Sequence, residues 1–147
     1  MTAGYSGKPL SKKLGILSGM IVLTVGAPDN YSDLVTPLPD DVLIIDAGAR
    51  GSAKSKSSTG PADFVHIFTN GRDDLFRLLA DFKNLIKQDG SIWVSWYKRA
   101  AKLPTEITED TVREAALPLG LVDVKVCAVD DKWSGLKLVI RRENRSY

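Results

Sequence analysis

The sequence contains one cysteine and one histidine in 147 residues. Cys127 therefore cannot close an intramolecular disulfide, which fits a reducing compartment. One histidine and one cysteine cannot furnish a typical transition-metal site. Neither a second cysteine nor a histidine lies near Cys127 in sequence to activate it, so it reads as a small packed side chain rather than a nucleophile. No apolar run reaches the ~20 residues that a membrane-spanning helix needs. An excess of either charge is also missing. Twenty Lys and Arg against 18 Asp and Glu leave +2, so bulk electrostatics favour neither nucleic acid nor membrane, and any basic site must be local. No P-loop, Ser-His-Asp set, internal repeat or heptad run is visible.

The most informative absence is of glycine in one loop. Met20-Ile21-Val22-Leu23-Thr24-Val25 is an apolar, β-branched strand pattern that ends at Gly26. A nucleotide-binding strand would begin its glycine-rich turn there, because the backbone must approach the ligand closely. The next five residues are instead Ala27-Pro28-Asp29-Asn30-Tyr31. Ala27 adds a Cβ, and Pro28 removes an N–H donor. Lys12-Lys13 before the mostly apolar Leu14–Val25 also outlines a secretory signal. Gly15, Ser18 and Gly19 interrupt that block, and its removal would delete a central strand, so it is expected to belong to the fold.

The residues present predict one α/β domain over 1–147. Residues 1–8 read as a loose arm, and Pro9–Leu14 as a short helix ended by Gly15. Strands are expected at 20–25, 41–45, 63–68 and 91–96, and a short helix capped by Asp29 or Asn30 runs to Val35. Residues 47–61 are small, polar and basic, including Arg50, Lys54 and Lys56, and read as a flexible loop. Leu75, Leu78, Leu79, Phe82, Leu85 and Ile86 predict one helix over 72–87, with Gln88-Asp89-Gly90 as its exit turn. A second helix is expected over 108–117 and is closed by Gly120. The early strands are apolar throughout, as strands covered on both faces are. Val122–Val129 and Leu136–Arg141 alternate instead, around a turn at Asp130–Gly135. The expected architecture is a three-layer sandwich, its mostly parallel sheet finished by an antiparallel hairpin at or near one edge.

The chain carries two resemblances. "GMIVLTVG", "DVLIID", "ADFVHIF", "LIKQDGSIWVSW" and "LGLVDVKVCAVDDKWSGLKLVIRR" together resemble the Rossmann-like core of class I S-adenosylmethionine methyltransferases, shortened by one strand-helix unit. In that resemblance Gly26 takes the place of the first cofactor-loop glycine, and Asp46 that of the acid holding the ribose hydroxyls. Their separation agrees with the gap of about twenty residues expected of such an acid. Asn70, after strand three, takes a cofactor- or substrate-facing position, while Ala27 and Pro28 depart from the pattern and no Asn-Pro-Pro-Tyr motif is present. "YSGKPLSKKLGI", "FVHIF", "WVSW" and "TEDTVREAALPLGLVDVKVCAVDDKWSGLKLV" are similar to a family of short bacterial proteins known only as a domain of unknown function. That likeness implies a cytoplasmic bacterial protein and supplies no activity.

In open α/β sheets, ligands bind beyond the carboxyl ends of the strands. The residues expected there are Gly26, Asp29, Asn30 and Tyr31; Asp46, Arg50, Lys54 and Lys56; Thr69, Asn70 and Arg72; Trp96, Tyr97, Lys98 and Arg99; and Asp130, Asp131 and Trp133. Among them Arg50, Lys54, Trp96, Lys98, Arg99 and Trp133 are candidates for substrate or anion binding, through cations and aromatic stacking. Trp93 is expected in the core, and His66, inside an apolar strand, as a hydrogen-bonded core histidine. Three functions stay open: a non-catalytic relative that binds a small anion or a protein partner, a methyltransferase with an atypical loop using S-adenosylmethionine, and a nucleotide or nucleic-acid binder using the basic rim.

Overall fold

A computed structural model describes residues 9–47 and 61–145. Its elements are α1 (Leu10–Leu14), β1 (Ile21–Val25), α2 (Tyr31–Leu34), β2 (Leu43–Asp46), β3 (Ala62–Phe68), α3 (Arg72–Phe82), β4 (Ile86–Tyr97), α4 (Glu109–Ala116), β5 (Leu121–Ala128) and β6 (Trp133–Ile140). The predicted arm at 1–8 and all but the ends of the predicted loop at 47–61 lie outside the described residues. No helix among those residues is long and apolar enough to cross a membrane.

The six strands form one sheet in the order β2-β1-β3-β4-β6-β5. The first four run parallel, β6 is antiparallel to both neighbours, and β5 therefore returns to the common direction. This is the expected parallel sheet with a closing antiparallel hairpin. The chain leaves β1 toward β2 on one side and later reaches β3 on the other, so the strand order reverses beside β1.

The two faces are covered differently. On one, α3 and α4 bury Leu75, Leu78, Leu79, Phe82 and Val112 against Leu23, Val65, Ile92, Val94, Trp96 and Leu138. Thr108 starts α4 by accepting from the Thr111 amide, while the Thr111 hydroxyl accepts from the Thr108 amide. Thr108→Ala is expected to lower the unfolding free energy by about 1 kcal/mol in urea titration, the usual worth of an N-cap. On the other face there is no long helix among the described residues. The short helices α1 and α2, with the irregular chain after each, bring Leu14, Ile16, Tyr31 and Val35 onto Val22, Phe64, Phe68 and Trp93.

Four features differ from expectation. Helix α3 stops at Phe82, and a 3-10 turn over Lys83–Leu85 leads straight into β4 at Ile86. Ile86 is buried in the sheet, paired with Ala62, whereas Phe64 pairs with Ser91. The extra residues of β4 bulge out over Asp63, whose carboxylate accepts from the Ile21 amide at 2.8 Å and meets Lys87 Nζ at 2.9 Å. Gly90 belongs to that bulge, because a Cβ there would lie 3.0 Å from the Asp63 and Lys87 carbonyl oxygens. The Asp130–Gly135 turn is also shorter than predicted: Trp133, Ser134 and Gly135 already belong to β6. Asp130 Oδ1 closes it by accepting from the amides of Lys132 and Trp133 at 2.8 and 2.9 Å. Last, β2 is not covered on both faces. It is an outermost strand of the sheet, and Leu43 is 54% exposed.

Candidate functional site: the carboxyl edge of the sheet

Because β5 runs with β1 to β4, five strand ends and the turn into β6 meet along one edge. Side chains alternate between faces along a strand, so that edge is really two sites back to back. Asp46 pairs with Thr24, Thr24 with His66, and His66 with Trp93, all on the face carrying the irregular layer. Trp133 shares this face, its ring 4.9 Å from Phe68 and 4.6 Å from Tyr97. Trp96 points to the opposite face, into the α3–α4 layer. The structure thus joins Asp46 and Trp133 on one side and separates Trp96 from both.

At the end of β1, Gly26 has φ +68°, a conformation that favours glycine. Beyond it the chain turns inward. The Tyr31 amide donates to the Pro28 carbonyl at 3.0 Å, and the Tyr31 side chain is buried rather than on the rim, contrary to expectation. Its hydroxyl meets His66 Nδ1 at 3.0 Å, and its ring stands edge-on to His66 and Phe68. His66 Nε2 meets Ser95 Oγ at 2.8 Å. Both partners are hydroxyls, which can donate or accept. Burial pushes the pKa of His66 down to about 3, and pushes that of Tyr31 up. What remains open beside β1 and β2 is a notch of about 200 Å³ lined by Thr24, Ala27, Pro28, Asp29, Tyr31 and Asp46.

Asn70 is a brace. Its Oδ1 accepts from the Tyr97 amide at 2.8 Å and its carbonyl from the Glu106 amide at 2.9 Å, which ties the end of β3 to the end of β4 and to the loop after it. Trp133 lines a second cleft with Pro28, Asn30, Leu34, Asp130 and Asp131. A third, of about 530 Å³, opens on the other face. Trp96 and its sheet partner Ser134 line it together with Ile107, Lys98, Arg99, Leu103, Thr105, Thr108 and Glu109. Trp96 is only 6% exposed, so it is a floor rather than a projecting ring. Thr105, Ile107, Thr108 and Ser134 are additions to the expected site residues. The one sequence signal for them is the Thr108 cap, which aims the first turn of α4 at the end of β4. Arg50, Lys54 and Lys56 lie outside the described residues. Among the described residues no group of three His, Cys, Asp or Glu is placed to hold a metal. Cys127 is half-buried, and desolvation raises its pKa.

No curated protein matches the chain. Solved structures do. A SAM dependent methyltransferase from Aquifex aeolicus is 18% identical, with TM-score 0.59 over 88% of this chain and 87% of that one. An S-adenosylmethionine-dependent methyltransferase from Clostridium acetobutylicum is 8% identical, with TM-score 0.61 over 95% and 94%. A protein of the NADB-Rossmann superfamily from Streptococcus agalactiae is 12% identical, with TM-score 0.61 over 97% and 72%. At these identities the likeness is one of fold, and the fold is Rossmann-like, of the methyltransferase kind. The model of the family described as Protein of unknown function (DUF3052) matches residues 11–142, and the chain belongs to that family.

Proposed function

We propose that this is a cytoplasmic, non-catalytic binding protein on a methyltransferase-like scaffold, with a small anion as its ligand. The observation that carries the reading is the inward-turned Tyr31. It fills the space beside β1 and leaves a notch of about 200 Å³, below the roughly 300–1,000 Å³ usual for a site holding a drug-sized ligand. S-adenosylmethionine does not fit these residues. Pro28 offers no N–H to a carboxylate, Ala27 packs against the buried layer, and Asp29 stands with Asp46 in the same notch. Asp46 alone retains the position of a ribose-holding acid. The cleft beyond β4 is in the usual size range and carries Lys98 and Arg99.

Calorimetry with S-adenosylmethionine and its demethylated product tests this. No heat of binding is expected at millimolar ligand. Micromolar binding abolished by Asp46→Ala would instead establish a working methyltransferase cofactor site and overturn the proposal.

A further inference from the structure

Resting on the reading of this chain as a binding protein, we infer that the cleft between the end of β4 and the start of α4 takes a small amphipathic organic anion. The acidic head sits at Lys98 and Arg99, and the flat or hydrocarbon body lies on Trp96, Leu103 and Ile107.

The charge balance of the cleft points to the head group. Several cations elsewhere are paired: Arg72 with Glu114, Arg77 with Asp74 and Asp81, Lys87 with Asp63, and Arg113 with Glu109, Asp110 and Asp123. The side chains of Lys98 and Arg99 enter no ion pair or hydrogen bond among the described residues. Two nearby carboxylates have partners of their own. Glu109, which also lines the cleft, meets Arg113 at 3.0 Å, and Glu106 Oε1 accepts from the Arg72 amide at 2.8 Å. Two cations without partners over a low-dielectric floor attract an anion more strongly than they would in open water.

The floor points to the body. Trp96 and Ile107 are nearly buried beneath the cleft, while Leu103 on its lip is 39% exposed. A fully hydrated inorganic ion would leave Leu103 and the exposed edge of Trp96 uncovered; a ligand with an apolar body covers them. The wall bearing the cations is held firmly. The Lys98 amide donates to the Lys132 carbonyl at 2.8 Å, and the 3-10 turn Arg99–Ala101 ends in Lys102 at φ +55°. Non-glycine residues held in that left-handed region gather at ligand clamps.

The test uses four probes: 2-naphthoate, 2-naphthyl phosphate, the neutral 2-naphthylmethanol, and inorganic phosphate. Each is titrated into the whole chain, with amide chemical shifts tracked by NMR. Both aryl anions are expected to bind saturably and to shift residues 96–108 and Ser134. The neutral alcohol and inorganic phosphate should bind at least about tenfold more weakly, roughly 1.4 kcal/mol. The tighter of the two aryl anions tells a carboxylate ligand from a phosphate one. The double variant Lys98→Gln with Arg99→Gln should lose the preference for anions, and Leu103→Ser the preference for the aryl body. Both changes are at exposed or partly exposed positions, and an unchanged urea midpoint verifies folding. Equal binding of alcohol and anions, shifts confined to other residues, or a double variant that binds like the native chain overturns the inference. Silence of the aryl anions together with silence of S-adenosylmethionine overturns only this ligand class. Shifts at Gly26 and Asp46 on adding S-adenosylmethionine would overturn the parent reading.

Discussion

Trp93→Ala is expected to cost about 3–5 kcal/mol of unfolding free energy, the range for removing a fully buried large aromatic side chain. Most small domains have only about 5–15 kcal/mol in total, so the variant should be partly unfolded at ordinary temperature. The size of the effect comes from what Trp93 joins. Its ring lies under Gly135, where even a single Cβ would come within 3.1 Å of Cε3. Its Nε1 donates to the Leu14 carbonyl at 2.9 Å, across 79 residues of sequence. Truncation therefore opens a cavity in the irregular layer and leaves a buried carbonyl unpaired. Trp93→Phe separates the two contributions, since it keeps most of the packing and drops the N–H. Urea unfolding monitored by circular dichroism should rank native above Trp93→Phe above Trp93→Ala. Alanine and phenylalanine variants of equal stability would mean that the packing carries little of the cost.

The second large effect is on pH. His66 is neutral in the folded chain, with its pKa pushed down to about 3 by burial, against about 6.5 when exposed. Above pH ~6.5 both folded and unfolded chains hold the neutral ring, so this residue adds no pH dependence there. As pH falls below that value the unfolded chain takes up a proton that the folded chain refuses. Stability should then drop by about 1.4 kcal/mol per pH unit until the folded pKa is reached, or close to 3 kcal/mol by pH ~4.5. Other groups titrate in the same window, so the quantity to measure is the difference between the native chain and His66→Gln. Urea midpoints taken from pH 7.5 to 4.5 should converge as the native chain loses its advantage. Parallel profiles would show that the imidazole accepts a proton without unfolding.

The strand-helix alternation is legible in the chain because apolar periodicity is a local signal. The covered β1 and β3, the amphipathic Leu75–Phe82 stripe and the alternating hairpin all announce themselves within a few residues. Ile86 misleads for the same reason. It continues the helical spacing of Phe82, yet its place is decided by Ala62 and by the bulge over Asp63, both more than twenty positions away. The site is less legible. Position along the sheet edge comes from strand order, and Asp46, Lys98, Arg99 and Trp133 are all found there. Which face a side chain takes depends on a register shared with the next strand, and this separates Trp96 from Trp133. Tyr31 has the composition of a rim residue. It is buried where His66, on β3, offers its hydroxyl a partner.

The contact between Leu14 and Trp93 also sets an order of events during synthesis. Leu14 leaves the ribosome with one half of the irregular layer, and the other half is not complete until β4 appears. Until then Leu14 and Ile16 lack the Trp93 ring that completes their layer. A nascent chain of this protein should therefore be greasy and chaperone-hungry until β4 emerges, and close its second core late, since contacts far apart in sequence form slowly.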